Sequence, residues 1–168
     1  MIPVSVQTLI VSSAPSPSIL VLCPEEEARN QKNCRIVPIW VGAAEATQLG
    51  MALESNKFKR PMTHDLFIDA ITNLDATIAY VDIVAVKQQT FYAKLVLRQN
   101  EREIELDARP SDAISLAVRE GAPLFIEEDV LQKASFPYIF KENKNDREEI
   151  RRFHSFVQNL NPEDFDDE

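Results

Sequence analysis

Phe91-Tyr92-Ala93-Lys94-Leu95-Val96-Leu97-Arg98 alternates strictly along its length. Phe91, Ala93, Leu95 and Leu97 share one face, and Tyr92, Lys94, Val96 and Arg98 the other. That is the period-two pattern of a strand with one buried and one wetter side. Thr77 to Val86 before it and Arg102 to Asp107 after it also read as strands, joined by short turns into a meander. With Asn100-Glu101 as a two-residue turn, Arg98 would oppose Glu103 and Lys94 would oppose Asp107. Asp82 interrupts the first strand of this meander, and a one-residue slip in the Lys87-to-Thr90 turn would reverse its facing. A helix then runs from Ser111 to about Glu120, with Gly121 placed as a C-cap glycine.

Upstream, Val4 to Val11, Ser18 to Cys23 and Arg35 to Val41 read as three more strands, with a polar loop from Pro24 to Asn33. Pro38 demands an edge or a bulge, since it has no N–H to give to a ladder. Gly42 opens a helix to about Glu54 with Ala46, Leu49, Gly50 and Leu53 on one face. A further helix spans Thr63 to Leu74 with Leu66, Phe67, Ala70, Ile71 and Leu74 as its apolar stripe. Downstream come a short strand, Pro123 to Ile126, one helical turn at Glu127 to Leu131, and a helix from Asp146 to Leu160. The acidic end after Pro162 reads as disordered. Three strands then a helix, twice, with Arg-Pro leading into a helix in each half, points to an α+β fold of mixed or mostly antiparallel sheet with an internal duplication.

The chain has 168 residues, enough for one domain with a real core and too few for two of ordinary size. Its net charge is −9, and residues 1–131 alone carry 12 Lys and Arg against 18 Asp and Glu. Tight non-specific binding to nucleic acid needs an electropositive surface. The balance therefore counts against a high-affinity DNA-binding module, although not against an enzyme that holds phosphate transiently. The N-terminal stretch lacks a basic leader and is broken at Ser12 to Ser18, and no apolar run has membrane-spanning length, so a cytoplasmic chain with no membrane partner is expected. Cys23 and Cys34 stand outside any metal-ligand spacing, and the reading favours reduced thiols over a disulfide.

Two Arg-Pro helix entries gather the candidate chemistry. In Arg60-Pro61-Met62-Thr63-His64-Asp65, Thr63 reads as the N-cap and Asp65 suits the helix dipole, but capping gives His64 no task. An imidazole there can serve as general base or metal ligand, although a lone histidine is more often a satisfied surface residue. In Asp107-Ala108-Arg109-Pro110-Ser111-Asp112, Ser111 can cap and Asp112 suits the first turn. The spacing favours Arg109 as a structural partner of Asp65, Asp107 or Asp112. The functional alternative has these carboxylates hold a divalent cation while Arg60 and Arg109 grip a phosphate. Glu45, after Gly42, is explained by the dipole unless the fold brings its helix start beside the Arg-Pro entries. There is no phosphate loop, nucleophile elbow or dinucleotide fingerprint, and two histidines, His64 and His154, exclude a histidine-rich metal centre.

Pro38-Ile39-Trp40-Val41-Gly42-Ala43-Ala44-Glu45-Ala46, Arg60 to Leu66, Thr90 to Leu95 and Asp107 to Ala113 together resemble the bifunctional nuclease domain family, in the family's order. The resemblance covers residues 1–131, and residues 132–168 look like the C-terminal extension of bacterial members. It implies an α+β homodimer and, from plant members that degrade both RNA and DNA, nuclease activity. On that implication Glu45, Asp65, Asp107 and Asp112 would hold Mg²⁺ or Mn²⁺, with no organic cofactor. His64 would activate water, and Arg60 and Arg109 would stabilise the phosphate in a transient nucleic-acid substrate. The competing expectation is a non-catalytic dimeric interaction or ligand-binding domain with structural Arg–carboxylate networks.

Overall fold

The alternation centred on Phe91 to Leu97 becomes part of an eight-stranded sheet in a computed structural model that describes residues 1–13, 16–30, 34–55, 58–138 and 147–161. In chain order the elements are β1 (Ile2–Ile10), β2 (Ser18–Pro24), α1 (Glu25–Asn30), β3 (Cys34–Val41), α2 (Ala43–Leu53), α3 (Thr63–Asn73) and β4 (Ala76–Lys87). Then follow β5 (Thr90–Gln99), β6 (Arg102–Ala108), α4 (Pro110–Glu120), β7 (Leu124–Ile126), α5 (Glu128–Ala134), β8 (Phe136–Tyr138) and α6 (Arg147–Gln158). The expected acidic tail after Pro162 lies outside the described residues.

The sheet order is β6-β5-β4-β7-β1-β2-β3-β8. Two antiparallel meanders, β1-β2-β3 and β4-β5-β6, are joined through β7, which runs parallel to β4 and antiparallel to β1. The repeated unit is the meander plus the helix that follows it directly, so α2 takes the place of α4. The Arg-Pro-led α3 is the additional helix. The sheet coils: the end of β3 and the start of β5, with four strands between them in the order, line one cleft.

Where sequence and structure differ, short elements account for most of it. The Pro24-to-Asn33 stretch contains α1, whose first turn holds Glu25, Glu26 and Glu27, where the dipole favours anions. Residues 136–138 add β8 beside β3, and α5 is longer than one turn. Pro38 lies past the stretch of β3 that β8 pairs, as its missing N–H requires. Both turn expectations hold: Gln99 pairs with Arg102 around Asn100-Glu101, and Gly121 closes α4 at φ 67°.

Two apolar clusters hold the sheet. The larger contains Leu20, Leu22, Leu49, Val81, Ile83, Ile114, Ile126 and Leu131, contributed by both meanders, by β7 and by α2, α4 and α5. The smaller contains Val21, Ile36, Tyr138, Phe153 and Val157, where α6 is seated. Tyr138 meets the Phe153 ring edge-on at 4.7 Å there and donates to Glu149. Cys23 and Cys34 lie in this cluster and are joined, Cα atoms 6.6 Å apart, which corrects the expectation of two reduced thiols. The reason is positional: neighbouring strands bring the end of β2 and the start of β3 side by side, within the span of a disulfide.

Candidate functional site

Three helices begin at one place. Glu45, His64 and Asp112 come from the first turns of α2, α3 and α4, and all three line a cleft of about 450 Å³ with Thr63, Gln48 and Arg109. The N-caps are Gly42, Met62 and Arg109, and none makes a side-chain cap hydrogen bond. Thr63 and Ser111 therefore fall one and two positions inside their helices rather than at the caps. At α4 the shift follows from Pro110, whose fixed φ suits the first helical position. Each helix instead carries a carboxylate at its third residue: Glu45, Asp65 and Asp112. Asp65 Oδ2 accepts the Met62 N–H at 2.9 Å. A Cβ on Gly42 would collide with Glu45 Oε2, so glycine leaves room for that carboxylate to fold back over the start of α2.

Arg109 ties two of these starts together. Its Nε and Nη2 donate to Asp112 at 2.7 and 3.2 Å, and its Nη1 donates to Glu45 Oε1 at 2.8 Å. Asp112 and then Glu45 push the guanidinium pKa further up. The side chain is nevertheless 64% exposed, a clamp at the cleft mouth rather than a buried strut. His64 sits deeper, its side chain 14% exposed, with Nε2 3.6 Å from Asp112 Oδ1. Burial, and then Arg119, lower its pKa against the opposing pull of Asp112, so the imidazole is neutral at pH 7. Its Nδ1 is buried with no hydrogen-bond partner among the described residues.

The other predicted site residues lie elsewhere. Asp65 Oδ1 accepts from Arg119 Nε at 3.0 Å, on the side of α3 that faces α4. Asp107 is exposed on β6. It stands opposite Lys94 as the hairpin arithmetic requires, but Lys94 donates to Glu105 instead, at 2.6 Å. Arg98 does pair with Glu103. Arg60 is exposed and lines neither this cleft nor the one beside it. Sequence reasoning missed Arg119, which is 11% exposed and also donates to the carbonyls of Ser115 and Gln48. Its one signal was a basic residue in the last turn of an otherwise apolar helix.

Mg²⁺ or Mn²⁺ needs several oxygen donors converging on one point. Among the described residues no three His, Cys, Asp or Glu side chains do so. Of the predicted ligands, Glu45 and Asp112 are both held by the Arg109 guanidinium, which bonds to each. The donor set as arranged does not fit a resident divalent cation. It can instead hold a water beside an imidazole and a carboxylate, with a guanidinium alongside.

No helix among the described residues is long and apolar enough to cross a membrane. An uncharacterized protein of Mycobacterium tuberculosis, represented in two strains, is 34% identical to this chain over 145 residues, covering 82% of the chain and 85% of the relative. The model of the bifunctional nuclease domain matches residues 28–138, a span that holds Glu45, His64, Arg109 and Asp112. The chain belongs to the bifunctional nuclease domain family.

Proposed function

We propose that the chain hydrolyses phosphodiester bonds in RNA or DNA at the cleft where His64 faces Asp112. The observation that carries this reading is the pair itself: an imidazole 3.6 Å from a carboxylate, in an open cleft at three helix starts. A water beside both can donate one proton to Nε2 and one to Asp112, which turns an oxygen lone pair outward. His64 takes the proton as that oxygen bonds to phosphorus and the bond to the leaving oxygen breaks, and the leaving oxygen takes its proton from solvent water at the cleft mouth. Asp112 orients the water and steadies the imidazolium, and Arg109 offers its charge to the phosphoryl oxygens. Because Glu45 and Asp112 already neutralise Arg109, the phosphate must displace one of them, and the exposed guanidinium leaves room for that. No step here uses a bound cation, so Mg²⁺ and Mn²⁺ enter the test as added variables.

The test is hydrolysis of RNA and DNA by wild type, His64→Ala and Asp112→Ala, with and without each metal. His64→Ala is expected to lose roughly a hundredfold or more in rate. Because its pKa is lowered, His64 stays a base below pH 6.5, and the acid limb of the wild-type profile should have its midpoint under that value. Undiminished activity in both variants, or no hydrolysis under any condition, refutes the reading.

A second reading, a non-catalytic dimeric interaction domain, is favoured by the closure of Arg109 onto both carboxylates. Both readings include a homodimer. Leu66 and Leu74 are 60% and 65% exposed and, with exposed Ala70, form an apolar stripe at spacing i, i+4, i+8 on the outer face of α3. A second copy covering it buries what one chain leaves wet. Leu66→Glu with Leu74→Lys should turn a sedimenting dimer into a monomer, and a wild-type monomer at all concentrations refutes the dimer. Cytoplasmic residence completes the proposal. There the buried Cys23 and Cys34 sulfurs would be shielded from thiol reductants.

A further inference from the structure

A second cleft, of about 400 Å³, shares Glu45 and Arg109 with the first and continues past them to Trp40, Phe91, Gln88 and Gln89. Resting on the phosphodiester reading, we infer that it takes one unpaired nucleobase while the adjoining phosphate lies at Arg109, so that the substrate is single-stranded nucleic acid.

Three independent features converge on a base. Trp40 is the partly exposed aromatic residue of this lining, with Phe91 buried in the larger core, and an aromatic ring accepts any base by stacking without reading its sequence. Gln88 and Gln89 bring amides that both donate and accept, the groups that can pair with a base edge. The third feature is a conflict in the turn that holds them. Lys87 pairs with Thr90, so Gln88-Gln89 is a two-residue hairpin loop, and both residues have positive φ, 45° and 65°. Such a loop favours Asn-Gly, because L side chains longer than Asn strain the left-handed region. Two glutamines kept against that preference, at the mouth of a cleft, point to a task for their side chains.

The same features select single strands. A base inside a duplex is stacked and paired, and cannot enter a recess of single-nucleotide size unless it is flipped out. A net charge of −9 gives little electrostatic hold on the two backbones of a duplex. One guanidinium and one recess match one phosphate and one base.

Trp40 is the only tryptophan, so its fluorescence reports on this cleft and on the separate recess it also lines beside Ile19 and Gln158, which the turn variant tells apart. The experiment titrates the full chain, as wild type and as uncleaving His64→Ala, with short single-stranded RNA and DNA oligonucleotides. The same DNA as a duplex and an abasic oligomer of equal length are the controls. Single strands of either sugar, or of one, should quench Trp40, and the two controls should not. The double variant Gln88→Asn with Gln89→Gly should fold with a higher Tm yet bind single strands at least tenfold more weakly, a combination that a merely structural turn would not give. Equal quenching by the abasic oligomer or the duplex overturns the inference, and so does full affinity in the turn variant. The two levels separate cleanly. His64-dependent hydrolysis without base-dependent quenching removes the base recess and leaves the nuclease reading. Base-dependent quenching without hydrolysis does the reverse.

Discussion

Arg109 and Arg119 stand at opposite ends of α4 and do different work. Arg109 stands behind a proline at a helix entry, so its motif is visible in the sequence, and its carboxylate partner Asp112 is three residues away. Arg119 has no motif. Its partners Asp65 and Gln48 are 54 and 71 residues distant, and only the fold brings them within reach. Burial then reverses the stability ranking that the motif suggests. Arg109→Ala removes two ion pairs made by a largely exposed guanidinium and should cost about 0–1 kcal/mol. Arg119→Ala strips a nearly buried guanidinium from a carboxylate and two carbonyls, and with Asp65 partly solvated it should cost roughly 2–3 kcal/mol. Urea unfolding of the two variants decides this, and equal losses would contradict the assignment of Arg119 as the tie among α2, α3 and α4. His64 was legible for the opposite reason: nothing local explains an imidazole in a first helical turn, and its neighbour Asp112 lies on another helix.

Periodicity locates the apolar face of a helix without saying what covers it. The stripe on α3 shows the limit: of Leu66, Phe67, Ala70, Ile71 and Leu74, only Ile71 is buried, and Leu66, Ala70 and Leu74 are exposed. The short elements α1 and β8 escaped detection because six and three residues are too few to display a period. Their hold is tertiary, as when Glu27 on α1 accepts from the backbone and side chain of Arg35 on β3. Helix ends fare better where backbone conformation alone decides them. Gly121 adopts φ 67°, and a Cβ there would meet nothing within 4 Å. Gly121→Ala should therefore destabilise by roughly 1 kcal/mol through the left-handed conformation alone, without disturbing α4. Thermal unfolding with unchanged helical content checks it. A much larger loss would mean that the glycine is also needed for packing.

The insertion of β7 between the two meanders is the least local feature of the molecule, and it creates a chemistry no strand pattern announces. By pairing with β4 in parallel, β7 sets Phe125 beside Asp82 and brings Glu127, which follows it, within hydrogen-bonding reach of the Asp82 carboxyl. Asp82 is only 6% exposed, and one of its oxygens has no partner among the described residues. Burial first, and then the Glu127 charge, push its pKa up from 3.8 to about 6. A carboxyl with a raised folded-state pKa binds its proton more tightly in the native state than in the unfolded one, so folding is penalised at neutral pH. The penalty shrinks as pH falls through 6 and is gone below 3.8. At about 1.4 kcal/mol per pH unit, the full penalty above pH 6 is ~3 kcal/mol. Asp82→Asn should therefore stabilise the protein at pH 7.5 by about 1–3 kcal/mol, less whatever the buried amide leaves unpaired. That advantage should dwindle as pH is lowered towards 4. His64 acts with the opposite sign, because its lowered pKa makes stability fall as pH drops below 6.5 in wild type and Asp82→Asn alike. Subtracting the two unfolding curves at each pH cancels His64 and isolates Asp82. A difference that stays constant from pH 7.5 to 4 would mean that Asp82 stays ionised in the folded protein down to pH 4, and that β7 does not bring Glu127 against it.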